Sequence, residues 1–280
     1  MTISPAPKPW QRNSFAVITA GCWIAAFALA PSPWLLSPHA GQLASFLLTV
    51  AGMICLFVTF GYAVSDSTLG ILLNGRNVYS LSRFQMVLWT VLVLSALMSA
   101  AACRAWSQQA ALDIRIPGEL LAAMGISLVS AAAAPALLSL KSDSTATSAQ
   151  LMSAEGRLGE PLVPVGKVIG RPAGAPASLA DLVRGDELAN AGAIDLSKVQ
   201  QLLITLLLIT VYASMVGQFF FDTSFAQKVT DLPGFDQSFV NLMLVSHGGY
   251  LAYKATSKPD DVTPTLLRPS PPDRNGATGA

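Results

Sequence analysis

The chain has 280 residues, of which 52% are hydrophobic and 12% charged, and its formal net charge is +1. Soluble domains carry roughly 25% charged residues, so this composition excludes a water-soluble globule with an ordinary surface. The near-neutral balance, with no basic patch, also excludes a nucleic-acid binder.

Six apolar runs meet the roughly 17–25 residues needed to cross a bilayer: 14–30, 43–64, 84–105, 120–140, 199–221 and 239–255. Apart from Arg104 at the edge of the third and Lys254 at the end of the sixth, they hold no Asp, Glu, Lys or Arg. The reading is an all-α membrane protein with about six transmembrane helices. The first run follows Lys8 and Arg12 and ends in Phe27-Ala-Leu-Ala30, which resembles a signal-peptidase site. Pro31 and Pro33 follow at once and disfavour cleavage, so the first helix is expected to be retained. Thr19-Ala-Gly-Cys22 is a poor lipoprotein box, with Thr in its first position and little apolar sequence before Cys22.

Charge between the runs sets orientation. With a cytoplasmic N-terminus, the cytoplasmic segments hold Lys8, Arg12, Arg76, Arg83, Lys141, Arg157, Lys167, Arg171, Arg184, Lys198, Lys254, Lys258, Arg268 and Arg274. The opposite side holds only Arg104, Arg115 and Lys228. This bias toward the inside predicts a multi-pass protein of a bacterial cytoplasmic (inner) membrane with both termini cytoplasmic.

A near repetition divides the chain further. Ser80-Leu-Ser-Arg-Phe-Gln85 opens the third run, and Asp195-Leu-Ser-Lys-Val-Gln200 opens the fifth. Ser82 with Gln85, and Ser197 with Gln200, have capping-box spacing, which predicts helix starts where the chain enters lipid. Arg83 and Lys198 beside them are expected to anchor on anionic headgroups. Beyond each crossing lies an acidic, Pro-containing turn, Asp113 to Gly118 and Asp231 to Gly234. Met124-Gly-Ile-Ser127 then matches Met243-Leu-Val-Ser246. The reading is an internally duplicated helical hairpin.

The resulting plan is a cytoplasmic N-terminus (1–13), a first transmembrane hairpin (14–65), a cytoplasmic connector (66–80) and hairpin repeat 1 (81–141). A flexible cytoplasmic loop (142–195), hairpin repeat 2 (196–257) and a disordered, Pro-rich tail (258–280) follow. One short amphipathic helix is expected in the loop at 178–188, with Ser178 and Asp181 at capping spacing. The neighbours Asp186 and Glu187 would not face each other on such a helix. Small residues in the third and fourth runs predict that these two helices form the tight centre of the bundle, with a kink at Pro135.

The last hairpin is richest in polar residues, and Gln218, Asn241, Ser246 and His247 form the candidate intramembrane site. A ring that titrates near neutrality can gate or relay protons, whereas a structural His makes one interhelical hydrogen bond. Cys22, Cys55 and Cys103 stand singly with no metal-ligand spacing. Nucleophile-elbow, metalloprotease, phosphate-loop and dinucleotide motifs are absent. No cofactor, metal or catalytic residue is therefore expected.

Taken together, GILLNGRNVYSLSRFQMVLWTVLVLS, LLAAMGIS, LVRGDELANAGAIDLSKVQ and LMLVSHGGYLAYKA resemble a group of uncharacterised bacterial multi-pass membrane proteins with a duplicated LS[RK]xQ hairpin. The resemblance covers roughly residues 70–255 and implies no catalytic residue and no ligand. Ala131 stands where Tyr250 falls in the second copy, so any role of that tyrosine is asymmetric. The expected function is a non-enzymatic membrane anchor or signalling scaffold acting through the cytoplasmic loop. The alternative is a small oligomeric channel or transporter lined by the hairpins. Candidate partners are the lipid bilayer, a cytosolic protein at 142–195 and further copies of the chain.

Overall fold

The computed structural model of the chain describes residues 9–29, 38–222 and 229–256. The expected disordered tail, 258–280, lies outside the described residues. The molecule is mostly helical, at 71%, because an apolar stretch in lipid must satisfy its backbone polar groups within its own segment. The helices are α1 (Pro9–Leu29), α2 (Pro38–Ser65), α3 (Leu81–Trp106), α4 (Gly118–Ser142), α5 (Ser148–Leu158), α6 (Leu196–Asp222) and α7 (Gln237–Ala255).

Among the described residues, four stretches are long and apolar enough to cross a membrane: Ala40–Ser65, Leu81–Trp106, Gly118–Ser142 and Leu196–Asp222. The apolar part of α1, Asn13–Leu29, is shorter. Helix α7 has 19 residues, but Gln237, Asn241, His247 and Lys254 dilute its apolar character.

α1 packs on α2, and α2 on α3. A Cβ at Gly52 would lie 2.5 Å from the Trp23 indole nitrogen, so glycine permits the close approach of α1 to α2. At the end of α1, the Trp106 indole donates to the Phe27 carbonyl at 2.9 Å. α3 is the central helix, with 56% of its most apolar window buried, against 28% for α4 and 22% for α6. The expectation that α4 shares the centre is therefore corrected: only one stripe of it is covered, Leu120, Ala123, Ser127, Ser130, Ala134 and Leu138. Small residues allowed close packing along that stripe, and the remaining faces are apolar enough for lipid. The helix also runs on through Pro135.

α3 packs against α6, and α4 against α7. The segments that precede α4 and α7 lie side by side in parallel, with Arg115 N donating to Thr230 O at 2.7 Å and Leu232 N to Arg115 O at 3.1 Å. The buried Arg104 guanidinium ties this far end together, donating to Ala110 O at 2.8 Å and Val229 O at 2.7 Å. The segment before α7 also sends Phe235 into the bundle, where its ring centroid lies 4.9 Å from that of Tyr212 and 5.6 Å from that of Trp89.

Both near-copies open a helix, but the caps lie two residues earlier than expected. α3 is capped by Ser80, whose Oγ accepts from Arg83 N at 3.5 Å. α6 is capped by Asp195, whose Oδ1 accepts from Ser197 N at 3.1 Å, Ser197 Oγ at 2.6 Å and Lys198 N at 3.3 Å. Ser82 and Ser197 already lie inside the first turn, and Gln85 and Gln200 lie beyond the reach of a cap amide.

The segment 142–195 also departs from expectation, since it is folded rather than flexible. α5 carries the capping box of Thr147 with Gln150 and ends at Gly159 in the left-handed region. β1 (Val163–Val165) and β2 (Val168–Gly170) form an antiparallel hairpin, and Ala154, Leu162, Ile169, Leu188 and Ala191 close a small apolar core. Gly166, at φ 58°, turns the hairpin directly over the end of α4, where a Cβ would meet the Ser142 carbonyl. The helix expected at 178–188 is reduced to a 3-10 turn, Leu179–Leu182. Past Gly185 the backbone is extended instead: Ile169 N donates to Asp186 O at 2.9 Å, and Glu187 bridges to Val168.

Candidate functional site

The folded segment sits against one end of the bundle, and the connector 66–80 holds it there. Asn74 Oδ1 accepts from Arg76 N at 2.9 Å and Val78 N at 3.2 Å, which shapes the Asn-Gly-Arg-Asn turn. Asn77, at φ 56°, donates from Nδ2 to Pro172 O at 3.0 Å and Ala175 O at 2.9 Å. Arg76 Nη1 donates to Ile169 O at 2.7 Å, and Arg171 N donates back to Arg76 O at 3.0 Å. The two inter-helix segments thus form one cap over the helix ends.

Arg171 organises the outer part of the cap. Its guanidinium reaches both carboxylate oxygens of Asp181, at 2.7 and 2.8 Å, and donates twice to Glu160 Oε1, at 2.9 and 2.7 Å. Burial works against the charge, but the hydrogen bonds it donates to Asp181 and Glu160 keep the guanidinium protonated above its ordinary range. Asp181 Oδ2 also accepts from Tyr79 N and Ser178 N, each at 3.3 Å, so one buried carboxylate joins connector, turn and hairpin.

Asp186 and Glu187 form the centre of the site. The extended backbone sends their neighbouring side chains to different lysines. Asp186 pairs with Lys198 at 3.0 Å and Lys254 at 2.6 Å, while Glu187 pairs with Lys141 at 2.7 Å. The three lysines come from the start of α6 and the last turns of α7 and α4, so three helix ends converge on two adjacent carboxylates. Lys254 Nζ also donates to the Tyr250 hydroxyl at 2.6 Å, and Lys198 Nζ to Asp181 O at 3.1 Å. Burial disfavours ionisation of Asp186, but Lys198, Lys254 and Arg76 hold its carboxyl well below the usual carboxylate range. Burial also pulls the Arg76 guanidinium below its ordinary value, opposed by Asp186 and Tyr250.

These pairs border a cavity of about 280 Å³. Four cationic side chains line it, Arg76, Arg83, Lys198 and Lys254, against the single carboxylate of Asp186. The arrangement has the chemistry of a polar clamp and an anion pocket. Among the described residues there is no cluster of His, Cys, Asp and Glu able to hold a metal ion.

The expected headgroup anchors separate. Arg83 is exposed and donates to Leu73 O, as a surface residue would. Lys198 instead points inward, 3% exposed, because the central segment covers the start of α6 and offers Asp186. The glutamines separate too. Gln85 is fully buried, donating to Thr205 Oγ1 at 2.6 Å and accepting from Gln201 Nε2 at 3.1 Å across the α3–α6 contact. Gln200 is exposed.

The candidate intramembrane set is not brought together. Gln218 and Asn241 lie on exposed surfaces, the latter accepting from Gln237 at 3.3 Å. Ser246 and His247 are buried, and neither the Ser246 hydroxyl nor either His247 ring nitrogen has a hydrogen-bond partner among the described residues. The interhelical bond expected of a structural His is thus not made there.

Asp186 and Glu187 are the residues that the sequence reading passed over. Their signal was present: in a chain this poor in charge, two adjacent carboxylates lie between helices whose ends carry Lys141, Lys198 and Lys254. Compared with protein-family models, curated proteins and solved structures, the chain finds no match.

Proposed function

We propose that this is a non-enzymatic integral membrane protein of a bacterial cytoplasmic membrane that acts as an anchor or signalling scaffold, presenting its central segment on the cytoplasmic side. Under this reading six helices span the bilayer, both termini are cytoplasmic, and the two LS[RK]xQ hairpins arose by duplication. The parallel pairing of the segments before α4 and α7, and the equivalent positions of the Ser80 and Asp195 caps, support the duplication.

The observation that carries the scaffold reading is the clamp of Lys141, Lys198 and Lys254 on Asp186 and Glu187. It fixes a small folded module to the apolar bundle, where a loose loop would have no defined surface. That module exposes Met152 (71%), Leu179 (59%) and Ile194 (74%), apolar side chains able to meet a protein partner. The test is purification in mild detergent of the parent beside the triple variant Met152→Asp, Leu179→Asp, Ile194→Asp, which leaves the clamp intact. A co-purifying cytosolic protein lost in the variant is the expected result. An identical partner set in both would sink the scaffold reading.

A channel or transporter remains the second reading because of the buried hydroxyls of Ser127, Ser130 and Ser246 and the ring of His247, all without partners among the described residues. They lie on α4 and α7, which pack together, and such groups mark polar pathways in membranes. Against it stands the aromatic plug of Trp89, Tyr212 and Phe235 in the bundle centre. Solute or ion flux in proteoliposomes that changes with His247→Ala would reverse the order of the two readings.

A further inference from the structure

The clamp leaves charge over. Asp186 is engaged by both lysines of the cavity, whereas Arg76 and Arg83 pair with no carboxylate among the described residues. Each donates one N–H to a backbone carbonyl, of Ile169 and Leu73 respectively. A guanidinium has five donors in a planar fork suited to a phosphate. Arg76 feels Asp186 only through space, without an ion pair, and one carboxylate against four cationic side chains leaves the cavity with a surplus of positive charge.

A second hollow adjoins the first. It has a volume of about 440 Å³, runs between α3 and α4 beside Phe57 and Ile71, and shares Arg83 with the polar cavity. On α3 it follows Arg83 through Met86, Val87 and Thr90, a rise of roughly 10 Å at ~1.5 Å per residue. Its one hydroxyl, Thr90 Oγ1, is turned back onto the Met86 carbonyl of its own helix at 2.8 Å. The groove therefore presents an apolar lining that starts at an arginine and runs away from the cap into the bundle.

We infer that this face of the bundle binds one anionic phospholipid, its phosphate held by Arg76 and Arg83 and an acyl chain laid along the groove between α3 and α4. A basic cavity alone fits any small anion, and an apolar groove alone fits any lipid, but one joined to the other at Arg83 fits an amphiphile with a negative head. The inference requires the chain to be embedded in a bilayer and does not depend on the scaffold reading.

The experiment is native mass spectrometry of the delipidated full chain, titrated with dioleoyl phosphatidylglycerol or dioleoyl phosphatidylcholine, with glycerol 3-phosphate as a water-soluble competitor. One phosphatidylglycerol should be retained with a preference of about tenfold over phosphatidylcholine, the size of one good charge-assisted contact. Arg83→Gln, an exposed position outside the clamp, should cut that preference to about twofold, since one phosphate contact is lost, while leaving thermal unfolding unchanged. Ala132→Trp, which fills the groove, should weaken retention of both lipids and keep the preference between them.

Equal retention of the two lipids, a preference untouched by Arg83→Gln, or retention untouched by Ala132→Trp would each overturn the lipid site. Displacement of the lipid by glycerol 3-phosphate at equal concentration would also overturn it, in favour of a soluble anion. A chain released from membranes by alkaline carbonate without detergent would instead refute the embedding on which the inference stands, and that result is separately readable.

Discussion

The two LS[RK]xQ segments share their backbone and diverge in their side chains. Ser80 and Asp195 cap their helices at the same place in the motif. Yet Arg83 is exposed where Lys198 is buried on Asp186, Gln85 is buried where Gln200 is exposed, and Ala131 stands where the second copy has Tyr250 against Lys254. Local sequence governs a cap, which depends on a few adjacent residues. Burial depends on what the rest of the chain places alongside, and here Asp186 meets the start of α6 rather than that of α3.

The difference between the two segments depends most on Asp186. Asp186→Asn leaves Lys198 and Lys254 buried without their counter-charge, and loss of one partner of a buried pair costs about 3–5 kcal/mol. The expected outcome is release of the central segment, read as faster proteolysis between residues 142 and 195 with α3 and α6 still protected. Equal protection of parent and variant would show that the apolar contacts of the cap suffice.

The next test sets the two basic positions side by side. Lys198→Met should lower stability in detergent by roughly 3 kcal/mol, whereas Arg83→Met should stay within about 0.5 kcal/mol. Similar losses from both would dissolve the asymmetry. The glutamines offer a milder version of the same contrast. Gln85→Leu removes the partner of Thr205 and Gln201 at a buried contact and should cost about 1–3 kcal/mol; Gln200→Leu, on an exposed face, should fall within about 0.5 kcal/mol.

The caps should behave alike. Ser80→Ala and Asp195→Ala are each expected to cost about 1 kcal/mol, with hydrogen exchange accelerated in the first turn of the helix concerned. A larger effect from Ser82→Ala or Ser197→Ala on the same amides would return the cap to the position that the motif spacing first indicated.

The smallest expected effect is that of pH. The Asp186 carboxyl titrates below the ordinary aspartate value of about 3.9, so its contribution is fully present above that value and is lost only as pH falls through the lower folded value. Proteolysis of the central segment should therefore be unchanged from about pH 8 to pH 5. Release already near pH 6 would implicate a different titrating group in the docking.

The amino-acid order by itself determined that long uncharged runs become helices, because nothing else satisfies a backbone in an apolar setting, and it marked where α3 and α6 begin within two residues. It could not fix the fate of Asp186 and Glu187. Read locally they belonged to a short amphipathic helix, but Gly185 and the hairpin at Val168–Gly170 draw them into extended backbone, where alternate directions reach Lys141 on one side and Lys198 with Lys254 on the other. Nor could it place Gln218 and Asn241 on the outside while turning His247 inward, since all three are equally polar marks in apolar helices. Those outcomes follow from helix rotation and from contacts between residues far apart in the chain, and only the tertiary structure decides them.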